Sequence, residues 1–239
     1  MNIFITGISK GLGLEICKSV LYKGWNVYGL SRTSNDDLKY LLDKYPNKIH
    51  WLECDLYDTD KIKTKIYDNF LINNKIDGFV NNAAFAYDDI ITNLNLELLE
   101  KMYKINVLSP MLITKLILRN FLLHRTEGSI VHISSISVHT GYKGLSMYAS
   151  SKGALEAFSK NCAREWGTYG IRSNCLVSGF MDTEMTAKLS QKQKDRIYKR
   201  TSTKKPVSIK SISKTICFLL SKEASSITGQ NIFVDNGTI

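Results

Sequence analysis

Three prolines in 239 residues, and no serine- and glycine-rich or low-complexity stretch, leave the chain without a recognisable linker. Residues 1–239 are therefore expected to form a single domain, and at this length one α/β domain can bury a sizeable core. Long uncharged apolar runs are also missing. The most apolar segment, residues 107–123, is interrupted by Lys115 and Arg119 and reads as a buried helix rather than a membrane span. Histidine is scarce, and His50, His124, His132 and His139 lack paired ligand spacing, so no metal site is expected. The five cysteines (Cys17, Cys54, Cys162, Cys175, Cys217) are odd in number and scattered, as small core residues in a reducing compartment would be. A first strand within a few residues of Met1 leaves no room for a signal or transit peptide, which points to the cytoplasm. The net charge of +10 is not accompanied by any basic-aromatic groove motif, so nucleic acid is not an expected partner, and neither is a membrane.

What is present is an alternation of short apolar runs with helix-length amphipathic segments. The runs at residues 2–6, 27–30, 49–52, 76–80, 129–134, 171–177 and 232–234 predict about seven strands. Buried strands joined by long crossovers imply a Rossmann-type, doubly wound parallel sheet with right-handed connections. Ligands bind beyond the C-terminal ends of such strands, and Gly7, Asp55, Asn82, Ser135 and Ser178 all fall there.

Two segments carry chemistry. The strand Asn2-Ile-Phe-Ile-Thr6 runs into Gly7-Ile-Ser-Lys-Gly-Leu-Gly13 and then into a helical pattern, which collects backbone N–H groups and a positive helix end where a pyrophosphate can sit. Tyr148 and Lys152 stand four residues apart on a helix-forming segment, one turn apart on one face. On its own this spacing is also that of a solvated helix face. With a phenol and an ammonium in one site, the cation stabilises the phenolate, lowers the tyrosine pKa and permits proton exchange with a carbonyl or alcohol oxygen.

Taken together, Thr6 to Gly13, Asn-Asn-Ala-Ala at 81–84, Asn106, Ser135 and the Tyr148/Lys152 pair resemble, in order and spacing, the short-chain dehydrogenase/reductase family, over essentially the whole chain. The layout is closest to the 3-oxoacyl-acyl-carrier-protein reductases, with which the chain shares Gly-Phe-x-x-Thr-x-Met at 179–185 and Ile-Thr-Gly-Gln at 227–230. The resemblance implies an NAD(P)-dependent oxidoreductase interconverting a carbonyl and a secondary alcohol. Tyr148 would be the acid-base residue, and Lys152 would bind the nicotinamide ribose and tune Tyr148. Ser135, thirteen residues before Tyr148, would hold the reacting oxygen, and Asn106 would hold a relay water.

The resemblance also implies a cofactor cradle. It begins with Gly7, Ser9, Lys10, Gly11, Leu12 and Gly13 in the turn, continues with Asp55 and Leu56 after the third strand, and adds Asn82, Ala83 and Ala84 after the fourth. Thr183 would bond the carboxamide. At the end of the second strand Ser31 replaces an acidic residue and Arg32 follows; with Lys10 this implies NADP(H) in preference to NAD(H).

Three departures stand out. Ala84 occupies a glycine position, which matters only if that turn needs positive φ. Ser178 replaces a proline before Gly179, which predicts a looser loop after the sixth strand, and Asn236 replaces a glycine. The basic stretch at 183–205 lies where the family has its substrate lid, and is either a solvated helix or an attractor for an anionic or carrier-bound substrate. The expected substrate is a 3-oxoacyl thioester or similar β-keto compound; the alternative is a free small molecule such as a sugar or polyol. Tyr169 occupies the place of a carrier-reading arginine, although Arg172, Arg125 and the lysines of 183–205 are expected to lie nearby. The apolar helices over 94–123 and 147–166 imply a homo-oligomer, dimer or tetramer.

Overall fold

The computed structural model describes residues 1–183, 186 and 189–239. Seven parallel strands form one sheet in the order β3-β2-β1-β4-β5-β6-β7. They are β1 (Asn2–Thr6), β2 (Asn26–Ser31), β3 (Ile49–Glu53), β4 (Gly78–Asn81), β5 (Ser129–Ser135), β6 (Arg172–Ser178) and β7 (Asn231–Val234). Each overlaps the run predicted for it. The central strands read as continuous apolar stretches because both sheet faces are covered.

One face is covered by α1 (Gly11–Tyr22), α2 (Asp36–Lys44) and α9 (Ile209–Leu220), which share a core with Ile3, Ile5, Val131 and Leu176 of the sheet. On the other face α3 (Thr59–Ile66) and α5 (Ser109–Leu123) pack Ile62, Ile66, Ile113, Ile117 and Phe121 against Phe4, Phe79 and Ile130. α7 (Ser146–Trp166) lies along β5 and β6. The strand order reverses between β1 and β4, and the crevice at that switch point is where a doubly wound sheet takes its ligand.

The helix expected over 107–123 is longer than its apolar run. α4 (Leu96–Tyr103) continues through a π turn at Lys104–Leu108 into α5, and the combined helix Leu96–Leu123 is long and apolar enough to cross a membrane. About two thirds of its most apolar window is buried inside the fold, as for a core helix. The π turn holds Asn106, a setting in which such turns commonly serve a site. The remaining α-helices among the described residues are α6 (Ser137–Thr140) and α8 (Gln191–Arg200), the latter started by a capping box between Ser190 and Gln193.

Candidate active site

β1 delivers Thr6 into a turn that only glycine can make. Gly7 has φ +76° and donates its N–H to the Leu30 carbonyl at 2.6 Å. A Cβ on Gly13 would lie 1.9 Å from the Gly7 carbonyl oxygen, so α1 can sit this close to the turn only without a side chain there. Gly11 opens α1 with φ +56°, and a Cβ there would meet nothing within 4 Å. Lys10, the N-cap, is extended and makes no side-chain cap, and the first turn of α1 has no acidic residue. The helix end therefore offers uncapped N–H groups and positive potential beneath open space, which fits the pyrophosphate of a dinucleotide. Ser9 is half-buried at this turn, whereas the Leu12 and Leu56 side chains are buried in the core and leave only main chain for a ligand.

Thr6 ties the two sides of the crevice together. Its hydroxyl accepts from the N–H groups of Asn82 and Ala83, both at 3.0 Å, while Asn82 Nδ2 donates to the Thr6 and Gly7 carbonyls at 2.9 and 3.2 Å. Ala84 is not among the residues with positive φ, so its methyl creates no strain. Ser31, at the end of β2, is buried; its Oγ donates to the Thr33 carbonyl at 2.8 Å and accepts from Trp51 Nε1 at 2.9 Å. Arg32 beside it is exposed. Asp55 is exposed just beyond β3 and accepts the Tyr57 N–H at 2.9 Å, and Thr183 is half-buried with its N–H held by Thr186 Oγ1 at 3.0 Å.

The residues expected to do acid-base chemistry lie on β5 and α7. Ser135 ends β5, its Oγ oriented by the Ser137 N–H at 3.2 Å. α7 is set against β5 by Lys152, whose Nζ donates at 2.8 Å to the carbonyl of Ile133, two residues before Ser135. One turn earlier, the Tyr148 ring packs against a cluster of Tyr87, Met102 and Met147. Asn106 accepts the Phe85 N–H at 2.8 Å and donates to the Phe85 carbonyl and Ser151 Oγ at 2.9 and 3.0 Å, and Ser151 Oγ donates in turn to the Tyr148 carbonyl at 2.8 Å.

Both amide hydrogens of Asn106 are thus committed to fixing the loop after β4 against α7, so its side-chain N–H groups are not available to a water. Its main-chain carbonyl is different. Pro110, four residues on, has no N–H to give it, so that oxygen lacks its α-helical partner.

Electrostatics reverse one expectation. Burial pushes the Tyr148 phenol above its usual range, with the Asp88 carboxylate adding to the shift, instead of Lys152 drawing it down. Lys152 is 2% exposed, and burial lowers its ammonium to about 8. Its Nζ lies 5.8 Å from the Tyr148 ring centroid and is hydrogen-bonded to Ile133. The four-residue spacing carried no information about that carbonyl acceptor or about Asp88.

The second departure is also corrected. Ser178 does not loosen its loop: it is buried, its Oγ donates to the Ser134 carbonyl at 3.1 Å and its carbonyl accepts the Ile136 N–H at 3.0 Å. Gly179 follows where a Cβ would come within 2.7 Å of Asp235 Cα. Asn236 takes positive φ (59°), as expected of a residue in a glycine's place. Arg172 is half-buried, its guanidinium donating to the Ser221 and Ile227 carbonyls at 3.0 and 3.3 Å. Among the described residues no His, Cys, Asp and Glu grouping could hold a metal ion.

A family model described as enoyl-(acyl carrier protein) reductase matches residues 7–238. The chain is 31% identical over 234 residues to the 3-oxoacyl-acyl-carrier-protein reductase of Buchnera aphidicola subsp. Acyrthosiphon pisum, covering 98% of this chain and 95% of that one. It is 30% identical over 237 residues to the enzyme of the same name from Aquifex aeolicus, with the same coverages. Among solved structures it superposes with a TM-score of 0.93 on a candidate NAD(P)-dependent gluconate 5-dehydrogenase from Beutenbergia cavernae with bound NADP, at 24% identity over 99% of this chain and 96% of that one. A 4-hydroxyisoleucine dehydrogenase complexed with NADH gives a TM-score of 0.93 at 25% identity over 99% and 98%.

Proposed function

Because the chain belongs to the short-chain dehydrogenase/reductase family and is an NAD(P)-dependent oxidoreductase, we propose that it reduces a 3-oxoacyl thioester or similar β-keto compound with NADP(H). The observation that carries the reading is the fixed relation of Ser135, Tyr148 and Lys152, with Lys152 anchoring α7 to the strand that presents Ser135. When bound, the nicotinamide supplies a hydride to the carbonyl carbon. Tyr148 then gives its proton to the carbonyl oxygen, and the raised phenol is held in the protonated form a donor needs. Ser135 Oγ donates to the same oxygen and orients it. Lys152, charged below about pH 8, binds the ribose hydroxyls. Asn106 acts through Ser151 and Phe85 as a positioning residue, and its carbonyl is the acceptor for a relay water.

The cradle is built from Gly7, Gly11 and Gly13, with the N–H groups around Ser9, Lys10 and Leu12 facing the pyrophosphate. Asp55, Leu56 and the turn 82–84 would hold the adenosine, and Thr183 would take the carboxamide. NADP(H) is favoured because no carboxylate replaces Ser31, whose hydroxyl is already occupied, and because Arg32 is exposed beside it. A homodimer or tetramer is supported by apolar side chains left exposed along the long helix, among them Leu96, Leu108 and Leu112. Five buried free thiols suit a reducing cytoplasm.

A second reading, dehydrogenation of a hydroxylated free small molecule, is favoured by the Asp88 carboxylate near Tyr148, which would accept from a substrate hydroxyl. NADPH and NADH oxidation measured against a panel of β-keto thioesters, β-keto esters and sugar-type ketones tests the first reading. Turnover of the β-keto members with NADPH preferred is expected; turnover confined to sugar-type ketones would replace it with the second.

A further inference from the structure

β5 and β6 end side by side, with Ser135 paired to Ser178. The two chain segments that leave these strand ends diverge and then meet again. The first passes through α6 into the loop Gly141 to Leu145 and returns to Tyr148. The second leads to α8, whose last residue, Arg200, lays its guanidinium over the Tyr142 ring of that loop, 5.4 Å from its centroid. Arg200 thereby rests on an aromatic ring of the segment that joins Ser135 to Tyr148, six residues before Tyr148.

Three other cations of this region are directed elsewhere. Lys194 Nζ pairs with Asp182 at 2.6 Å, and Lys204 Nζ donates to the Lys199 carbonyl at 2.7 Å. Arg172 is held by the Ser221 and Ile227 carbonyls. Arg200 is exposed, and Lys143, next to Tyr142, adds a second exposed positive charge on the loop side. The loop bearing Asp88 and Asp89 approaches the same segment at Gly144, where a Cβ would lie 4.0 Å from the Asp89 carbonyl carbon. Its carboxylates repel a substrate oxyanion, which leaves the α8 end of the segment as the place for one.

We propose that Arg200 is a specificity-determining residue that binds an oxyanion of the substrate, exchanging its contact with Tyr142 for a charge-assisted pair with a carboxylate or phosphate. This rests on the reading of Ser135, Tyr148 and Lys152 as a carbonyl-reducing site. An exposed guanidinium over the half-buried Tyr142 ring makes a single weak contact, whereas it takes a carboxylate or phosphate through two parallel hydrogen bonds, so the exchange is favourable. The oxyanion is either a carboxylate on a free keto acid or the phosphate of a pantetheine arm.

The test compares kcat/KM with NADPH for four compounds sharing one β-keto group. Ethyl acetoacetate and acetoacetyl-N-acetylcysteamine are neutral; acetoacetate carries a carboxylate, and acetoacetyl-4′-phosphopantetheine carries a phosphate. The wild type should prefer at least one anionic compound over its neutral counterpart by about tenfold or more, and the preferred one identifies the source. Arg200→Gln should reduce that preference at least tenfold through KM with kcat little changed, and Arg200→Lys should restore part of it. Arg196→Gln, which removes the same charge one turn earlier on α8, should leave it within twofold. Turnover of the neutral compounds with the same anion preference in Arg200→Gln and wild type would overturn the role of Arg200 alone. Absence of turnover on all four by the wild type would overturn the β-keto reading, and this inference with it.

Discussion

The crevice between β1 and β4 and the arch between the loop after β5 and α8 are built by different physics. On the cofactor side, backbone fits against backbone: Gly13 leaves 1.9 Å for an absent Cβ, and Asn82 and Ala83 donate four hydrogen bonds to Thr6 and Gly7. On the substrate side, α8 is held by side chains that are partly exposed, through Lys194 to Asp182, Tyr198 against Phe180, and Arg200 over Tyr142. Steric fit admits one residue type and does not adjust, while exposed ion pairs and ring contacts contribute about 1 kcal/mol or less each and can be exchanged. A fixed cofactor site beside an exchangeable substrate rim is the arrangement in which one chemistry is kept and its substrate varied.

The largest expected effect comes from attacking the rigid side. Gly13→Ala should abolish NADPH binding in a fluorescence titration and lower stability by about 3 kcal/mol or more in thermal unfolding, because the new methyl collides with backbone rather than with a movable side chain. Normal affinity in this variant would remove the contrast between the two regions.

The next effect separates function from stability at Lys152. Its folded pKa of about 8 lies below the usual lysine value of 10.5, so the fold disfavours the charged form. That penalty is fully present below pH 8, declines as pH rises, and is gone above 10.5. Lys152→Met should therefore lose activity, while its stability relative to wild type falls by about 3 kcal/mol between pH 8 and 10.5, from roughly 1.4 kcal/mol per pKa unit. Parallel stability curves for the two proteins would contradict the buried-ammonium account. The same titration predicts that kcat/KM for reduction, which reports the free enzyme, declines as pH rises through about 8.

The smallest effect belongs to the exchangeable side. Lys194→Met removes an ion pair whose Asp182 side chain is 53% exposed; it should change stability by less than about 1 kcal/mol and leave NADPH affinity unaltered, with at most a few-fold change in substrate KM.

The difference between the regions also explains what could be read from sequence. Gly7, Gly13 and the four-residue step from Tyr148 to Lys152 are local patterns with one steric or helical meaning, and the inner strands announced themselves because they are buried on both faces. Interactions between distant residues were not legible. Ile133 as the acceptor for Lys152, Asp88 near Tyr148, and Thr6 as the tie between two turns depend on which strand ends lie side by side. The π turn around Asn106 left one trace, Pro110 four residues on, inside a run that otherwise read as regular helix. Arg200 was one of many basic residues in its stretch until α8 was seen to end over Tyr142.

Proton donation by Tyr148 is the claim on which the others depend. Tyr148→Phe keeps the ring in its cluster with Met102 and Met147 and removes only the hydroxyl. NADPH oxidation with a β-keto substrate, measured alongside NADPH affinity, should show kcat reduced by at least about 10²-fold with affinity within a few-fold of wild type. Retention of more than about a tenth of the wild-type kcat would contradict the account.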